Sequence, residues 1–162
     1  VDELTDGPLV VVGSSMGGWM ALLAALARPE RVKALVLLAP APDFTDKLMW
    51  ASFDESQKRQ IMKDGFWTRP SPYDASGYPI TRELIQEGCE WSVLDGEIAI
   101  DIPVRSLLRG LDTDVPWTHS LDLADKLRSL ANLPCFGSAC QGGMLPSPTS
   151  SRIALACGRT SS

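Results

Sequence analysis

Apolar and polar positions alternate between blocks along this chain, and the blocks predict a short series of elements. Leu9-Val10-Val11-Val12 is a continuous β-branched run between Gly7-Pro8 and Gly13. An unbroken run of this kind predicts a strand buried on both faces of a parallel sheet. Trp19 to Ala27 is rich in Ala and Leu, both strong helix formers, and is apolar nearly all round. It predicts a buried helix that ends at Arg28, because Pro29 disfavours helical geometry in the residue before it. Val32 to Ala39 reads as a second strand of the first kind. Strand, helix and strand with short links make a βαβ unit, hence a parallel sheet with a right-handed crossover. Pro103 to Arg109 predicts a third strand, ending at Gly110. Thr118 to Ser129 predicts an amphipathic helix whose apolar set is Leu121, Leu123, Ala124 and Leu127.

Between these blocks the pattern changes. Residues 40–100 hold Trp50, Trp67, Trp91 and both tyrosines, with breakers at Pro70, Pro72, Gly77 and Pro79. They predict an irregular, mostly helical excursion, with helices near 55–63 and 81–89. From Leu130 to Ser162 there is no Asp or Glu, only Arg152 and Arg159 are charged, and Gly, Ser, Pro and Cys dominate. Apart from a short run at Arg152–Cys157 this stretch has no period, so it reads as irregular chain. The organisation expected is one α/β domain over 1–129 with an insertion at about 40–100, followed by an atypical tail at 130–162.

Composition narrows the function classes. With 162 residues, 44% hydrophobic and 22% charged, the chain is long enough and apolar enough for one cored domain. A net charge of −5 lacks the basic footprint of a nucleic-acid binder. No apolar run reaches the roughly 18 residues a membrane-spanning helix needs. Cys89, Cys135, Cys140 and Cys157 form no C-x-x-C, and a single histidine cannot complete a zinc site, so no metal is expected. Val1-Asp2-Glu3 carries no initiator Met and no signal-like segment, and reads as the interior of something longer.

The chemistry lies in Gly13-Ser14-Ser15-Met16-Gly17, a G-x-S-x-G sequence directly between the first strand and the first helix. In that context the pattern is a nucleophile elbow. The serine sits on a strained turn, and the glycines let the flanking chains approach closely. The spacing selects Ser15 over Ser14. Its hydroxyl would be presented at the carboxyl end of the strand, where open α/β sheets bind ligands. The helix N-terminus would set backbone N–H groups, that of Met16 first, beside a reacting carbonyl. A phosphate-binding loop is the competing reading, but no P-loop lysine follows and G-x-G-x-x-G is not met.

The segment Gly13-Ser-Ser-Met-Gly-Gly-Trp19, with Ala27-Arg-Pro-Glu-Arg-Val32, resembles the α/β-hydrolase family. More narrowly, it is similar to an abhydrolase-domain group of palmitoyl-protein thioesterases, acyl-glucuronide esterases and bacterial carboxylesterases. Gly65-Phe-Trp-Thr-Arg-Pro-Ser-Pro-Tyr73, Ile80-Thr-Arg-Glu-Leu-Ile85 and Val115-Pro-Trp117 support it. The resemblance runs from about Gly7 to Ser129. It implies a partial α/β-hydrolase fold, a parallel sheet with a mostly helical cap insertion over the active site. It also implies small-molecule acyl ester or acylated-protein substrates and no cofactor. The compartment implied is mitochondrial for a eukaryotic source and cytoplasmic for a bacterial one.

In this family an acid follows the strand after the cap, in a pattern like G-x-x-D-x-x-V-P. Here the chain reads Gly110-Leu-Asp112-Thr-Asp114-Val115-Pro116, and counting back from Val115 gives Asp112. The interval from Gly110 is one residue short, which keeps Asp114 as the alternative acid. Capping of the following helix is the plainer role for either. The family's histidine comes after one more strand, in the region this chain fills with 130–162, which contains none. The single histidine, His119, reads as a surface or helix-start residue, with the role of base as its lesser alternative. The family's first oxyanion donor would precede Val1. The expectation is a serine hydrolase that is partial and impaired: body intact, front lost, tail replaced. The alternative is an inactive α/β domain that binds an acyl ligand or a protein partner through its cap, with Trp50, Trp67, Tyr73 and Tyr78 as candidate lining.

Overall fold

A computed structural model describes residues 5–71, 75–109, 112 and 114–128, and the backbone of 134–137. Along the chain the elements are β1 (Leu9–Ser14), α1 (Met16–Ala27), β2 (Val32–Leu38), a π-helical segment (Thr45–Trp50), α2 (Glu55–Asp64), β3 (Phe66–Arg69), β4 (Tyr78–Thr81), α3 (Arg82–Glu90), β5 (Val104–Arg109), α4 (Trp117–Lys126) and β6 (Pro134–Gly137). They divide into two compact units. One comprises the residues up to Pro42 and from Leu94 onward, the other Asp43–Val93.

The first unit is a parallel sheet in the order β1-β2-β5-β6. Its core is built from Leu22, Leu35 and Leu37, which are fully buried, with Val32, Val104 and Leu123. Each such side chain contributes about 1.5–3 kcal/mol by leaving water. The described part of the sheet is covered on one face only. Gly13, Leu35, Leu37, Val104 and Leu108 are buried, whereas Val10 and Val12 are each 63% exposed, and Leu38 and Leu107 on the same side are exposed too. The expectation that β1 is buried on both faces is therefore corrected. Likewise α1 buries Trp19, Ala21, Leu22 and Ala25 but leaves Met16, Met20 and Leu26 open, so it is not buried all round. A helix lying on a sheet covers itself only on the contacted side, whatever the rest of its surface carries.

The tail reading also needs a correction. Pro134–Gly137 extends the sheet as a fourth parallel strand beside β5, with Ser106↔Pro134 to Arg109↔Gly137 in register. Four residues without a period of 2 give no sequence signal, and the sheet edge supplies the ladder that defines them. The rest of 130–162 lies outside the described residues, as do Gly110, Tyr73, Cys140 and Cys157. Cys89 is an exposed free thiol.

The second unit is more regular than its composition suggests. Asp54 caps α2 by accepting from the Ser56 and Gln57 N–H groups, and Gln57 returns the bond to the Asp54 N–H, a full capping box. Gly65 closes the helix in the left-handed conformation. Thr81 caps α3 through the Leu84 N–H. Between these helices, β3 and β4 pair antiparallel, Trp67 opposite Ile80 and Thr68 opposite Pro79. This hairpin was not expected, because each strand has four residues and a proline normally argues against pairing; a two-stranded ladder is all edge, where proline is tolerated. Trp67 and Ile80 turn inward onto Phe53, Ile61 and Ile85, with Phe53 and Trp67 edge-to-face at 5.3 Å. Trp50 and Trp67 thus serve packing, whereas Tyr78 is half exposed.

Asp43 closes this unit. Its carboxylate, 1% exposed, accepts from the Ser92 hydroxyl at 2.6 Å and from the Val93 N–H at 2.9 Å, joining the unit's first residue to its last two. Hydrogen bonds to a charged group contribute about 1.5–3 kcal/mol, and losing the acceptor strands buried donors. Asp43→Ala should lower the unfolding free energy of this unit by about 2–3 kcal/mol in urea melts followed by tryptophan fluorescence. A change under about 0.5 kcal/mol, the ordinary surface value, would show that the carboxylate does not hold the stems.

The β1–α1 crossing generates a second prediction. A Cβ on Gly13 would fall on the Gly17 carbonyl and 2.8 Å from the Gly18 nitrogen, and one on Gly18 would lie 2.8 Å from the Pro40 Cβ. A Cβ on Gly17 meets nothing within 4 Å. The close approach thus requires Gly13 and Gly18, not the second glycine of the sequence pattern. Gly13→Ala and Gly18→Ala should each cost about 1–3 kcal/mol by overpacking. Gly17→Ala, in a helix with open space, should stabilise by up to about 1 kcal/mol in the same melts.

Candidate active site

The turn between β1 and α1 places one serine in an unusual state. Ser15 is the N-cap of α1 with φ 52° and ψ −120°, and it is exposed. A serine at that position ordinarily turns its hydroxyl back to cap the helix. Ser15 makes no such bond. A non-glycine residue at positive φ stores strain of order 1–3 kcal/mol and persists only when its surroundings hold it. Here the backbone does the holding. The Ser15 N–H donates to the Leu38 carbonyl at 3.0 Å, and its carbonyl accepts from Gly18 at 2.9 Å and Ala41 at 3.1 Å. Ser14 ends β1, opposite Leu38 of β2, which in turn pairs with Leu107 of β5. Ser15 therefore stands at the carboxyl edge of the sheet.

Met16 is the first residue of α1. A helix leaves its first N–H groups without intrahelical partners, and they carry the positive end of its dipole. The Met16 N–H is thus a hydrogen-bond donor adjoining the Ser15 hydroxyl along the chain, suited to an anionic oxygen.

Asp112 follows β5 by three residues, and so leaves the same carboxyl edge. Its Oδ1 accepts from the Asp114 and Val115 N–H groups, both at 3.0 Å. It ties down the turn ahead of α4 rather than capping that helix, whose N-cap is Pro116. Among the described residues only Oδ1 is engaged. Asp114 is exposed.

His119 differs from expectation. It is 5% exposed, with Nε2 2.7 Å from the Pro42 carbonyl, so the surface reading is corrected. A carbonyl oxygen only accepts, so Nε2 carries the proton and donates it. The ring nitrogen a base would use is committed elsewhere. Burial follows from its place in the first turn of α4, on the side that carries Ser120 and Leu123 inward. The sequence showed a helix start but not which side of it faces the core.

Two contributors went unnoticed in the sequence. Gly18 allows the approach of Pro40, and the connector Ala39–Pro42 supplies the Ala41 N–H to Ser15. The Pro40-Ala-Pro42 spacing was the available signal of a stiff, buried connector. Among the described residues no group of three His, Cys, Asp or Glu side chains could hold a metal ion, and no helix is long and apolar enough to cross a membrane.

Comparison with known proteins fits this arrangement. The family model described as alpha/beta hydrolase fold matches residues 1–74. The chain is 39% identical over 131 residues to the mitochondrial palmitoyl-protein thioesterase ABHD10 of Homo sapiens, covering 80% of this chain and 42% of that protein. The chain thus spans about two-fifths of the length of such curated relatives. Among solved structures it is similar to alpha/beta hydrolase domain-containing protein 10 from mouse, at a TM-score of 0.74 and 36% identity over 85% of this chain and 55% of that one. It is also similar to a structure described as a hydrolase of Agrobacterium vitis S4, at a TM-score of 0.77 and 31% identity over 83% and 54%. A parallel sheet that turns out an uncapping serine at its carboxyl edge, aligned to these proteins over four-fifths of its length, has the α/β-hydrolase fold.

Proposed function

We propose that this chain carries the nucleophile and acid of a serine hydrolase acting on carboxylic esters or thioesters. The observation that carries the reading is Ser15: an exposed hydroxyl at a helix N-cap that does not cap, on a backbone held at φ 52°. In the reaction the Ser15 oxygen attacks the acyl carbon and gives up its hydroxyl proton, the Met16 N–H donates to the developing oxyanion, and the bond to the leaving alcohol or thiol breaks as that group departs with this proton. Water then attacks the acyl-enzyme and returns Ser15. Removing one such oxyanion donor in other enzymes costs about 10²–10³ in rate. The name of the thioesterase relatives favours acyl substrates such as S-acylated proteins, with a mitochondrial setting for a eukaryotic source and a cytoplasmic one for a bacterial source. No cofactor enters this chemistry.

Asp112 is the acid in this reading, with Asp114 as the rival. Oδ1 of Asp112 is spent on the turn, which fixes the carboxylate and leaves Oδ2 to orient an imidazole. Among the described residues the Asp114 carboxylate has no comparable hold. His119 is not the base, since its Nε2 is given to Pro42. On its own histidine complement the 162-residue chain is therefore slow: losing a triad member costs on the order of 10⁴–10⁶ in rate.

Labelling with a fluorophosphonate, read by intact mass, tests the nucleophile. A single adduct is expected, formed slowly and absent in Ser15→Ala. An adduct that survives Ser15→Ala removes the assignment, and rapid labelling removes the claim of impairment. The competing reading, an inactive domain that binds an acyl ligand or protein partner, is favoured by the commitment of the single histidine. Complete absence of labelling in a folded chain would establish that reading instead.

The acid is tested by residual hydrolysis of a p-nitrophenyl ester. Because the one imidazole is committed to Pro42, neither carboxylate has a base to orient, and Asp112→Asn and Asp114→Asn should each leave it within about twofold. A loss of about tenfold or more in Asp112→Asn would show a base at work after all, and the same loss confined to Asp114→Asn would transfer the role of acid to Asp114.

A further inference from the structure

The connector between β2 and the second unit is short, buried and tied at every residue. Ala39, at φ 43°, donates its N–H to the Leu107 carbonyl at 2.9 Å. Pro40 packs against Gly18 of α1 closely enough to exclude a Cβ there. Ala41 donates to the Ser15 carbonyl at 3.1 Å. Pro42 offers its carbonyl to Nε2 of His119 at 2.7 Å. Pro40 and Pro42 are among the fully buried side chains and have no N–H to give. Of the hydrogen bonds among these ties, only the last is made by a side chain, and that side chain is the chain's single histidine.

We propose that His119 is a positioning residue: by donating Nε2–H to the Pro42 carbonyl it pins the Ala39–Pro42 connector, and through the Ala41 N–H it holds the Ser15 carbonyl in the elbow. The relation to Ser15 reactivity rests on the hydrolase reading above, whereas the pin itself does not. The Pro42 carbonyl belongs to the peptide unit that follows Pro42, joined through the Pro42 Cα to the planar unit that Ala41 and Pro42 share. At that Cα the ring fixes φ, so a shift of the carbonyl is either taken up by ψ alone or passed on to Ala41. The Ser15 carbonyl keeps its bond from Gly18, so losing the pin loosens one of its two donors and not the turn as a whole. Burial raises the stake, because a carbonyl left unpaired away from water is costly.

Three measurements on the whole chain test this. With one histidine, the imidazole nitrogens give an unambiguous ¹⁵N spectrum, and the neutral ring is expected with its proton on Nε2; a proton on Nδ1 overturns the proposal outright. Hydrogen exchange of the Ala41 amide reads the connector. His119→Phe keeps the volume and removes the donor, and should speed Ala41 exchange by about tenfold or more. His119→Gln, whose side-chain nitrogen sits where Nε2 does, should restore protection to within about threefold. Unchanged Ala41 exchange in His119→Phe, or His119→Gln behaving like His119→Phe, overturns it. If His119→Phe fails to fold, the wild-type tautomer and His119→Gln still decide. Fluorophosphonate labelling then separates the two readings. If the wild type does not label but the exchange pattern holds, the hydrolase reading fails and the pin stands. If the wild type labels, slower labelling in His119→Phe that His119→Gln recovers supports the role for Ser15, and equal labelling in all three removes it.

Discussion

The structure around the site depends on how the Ser15 backbone is restrained. The tight turn from β1 into α1 puts Ser15 at φ 52°, a conformation that side-chain-bearing residues avoid. Three backbone hydrogen bonds, to Leu38 and from Gly18 and Ala41, hold Ser15 there. Each comes from a different part of the first unit: the neighbouring strand, the following helix and the connector. Because all three use the main chain, the hydroxyl is left out of the restraint. That separation, a rigid backbone with an uncommitted side chain, is what a nucleophile requires of its support.

The same economy is visible where the second unit begins. The connector ends at Pro42 under His119, and Asp43 immediately starts a separate set of bonds to Ser92 and Val93. Two consecutive residues thus serve the two units, one through its carbonyl and one through its carboxylate. Asp43 shares with Ser15 and Ala39 a positive φ, and these are the non-glycine residues with positive φ among those described. All of them lie at ends of elements or at the joint between units. Strain of this kind marks positions whose conformation the surroundings dictate.

Burial on the sheet tells a different story from hydrophobicity. Val10 and Val12 alternate with Val11 and Gly13 along β1, and the face bearing them is open in the described residues while the α1 face is closed. The composition of β1 is apolar on both sides all the same. At the surface, Arg128 bridges Glu97 and Asp101, and its hydrogen bond to Glu97 and then the charge of Asp101 raise its basicity above the ordinary value. Such an exposed pair contributes little to stability.

Local pattern carried much of the first unit. The βαβ unit, the third strand, the helix after it and the serine at the turn are written in runs of side chains, since apolar periodicity and glycine placement act over a few residues. Helices near 55–63 and 81–89 were legible for the same reason, and the structure shows Asp54, Gly65 and Thr81 at their ends. What the sequence left open depends on partners distant along the chain. The β3–β4 hairpin and β6 are four-residue strands that exist because another strand offers a ladder. Gly18, and not Gly17, is the glycine of α1 that must stay without a side chain, because Pro40 lies beside it. Burial of His119 turns on which side of α4 faces inward and on a carbonyl 77 residues earlier. Local sequence determined where the serine stands and what flanks it; only the tertiary structure decided which groups hold it and that the one histidine is already in use, because hydrogen bonds between distant residues leave no local trace.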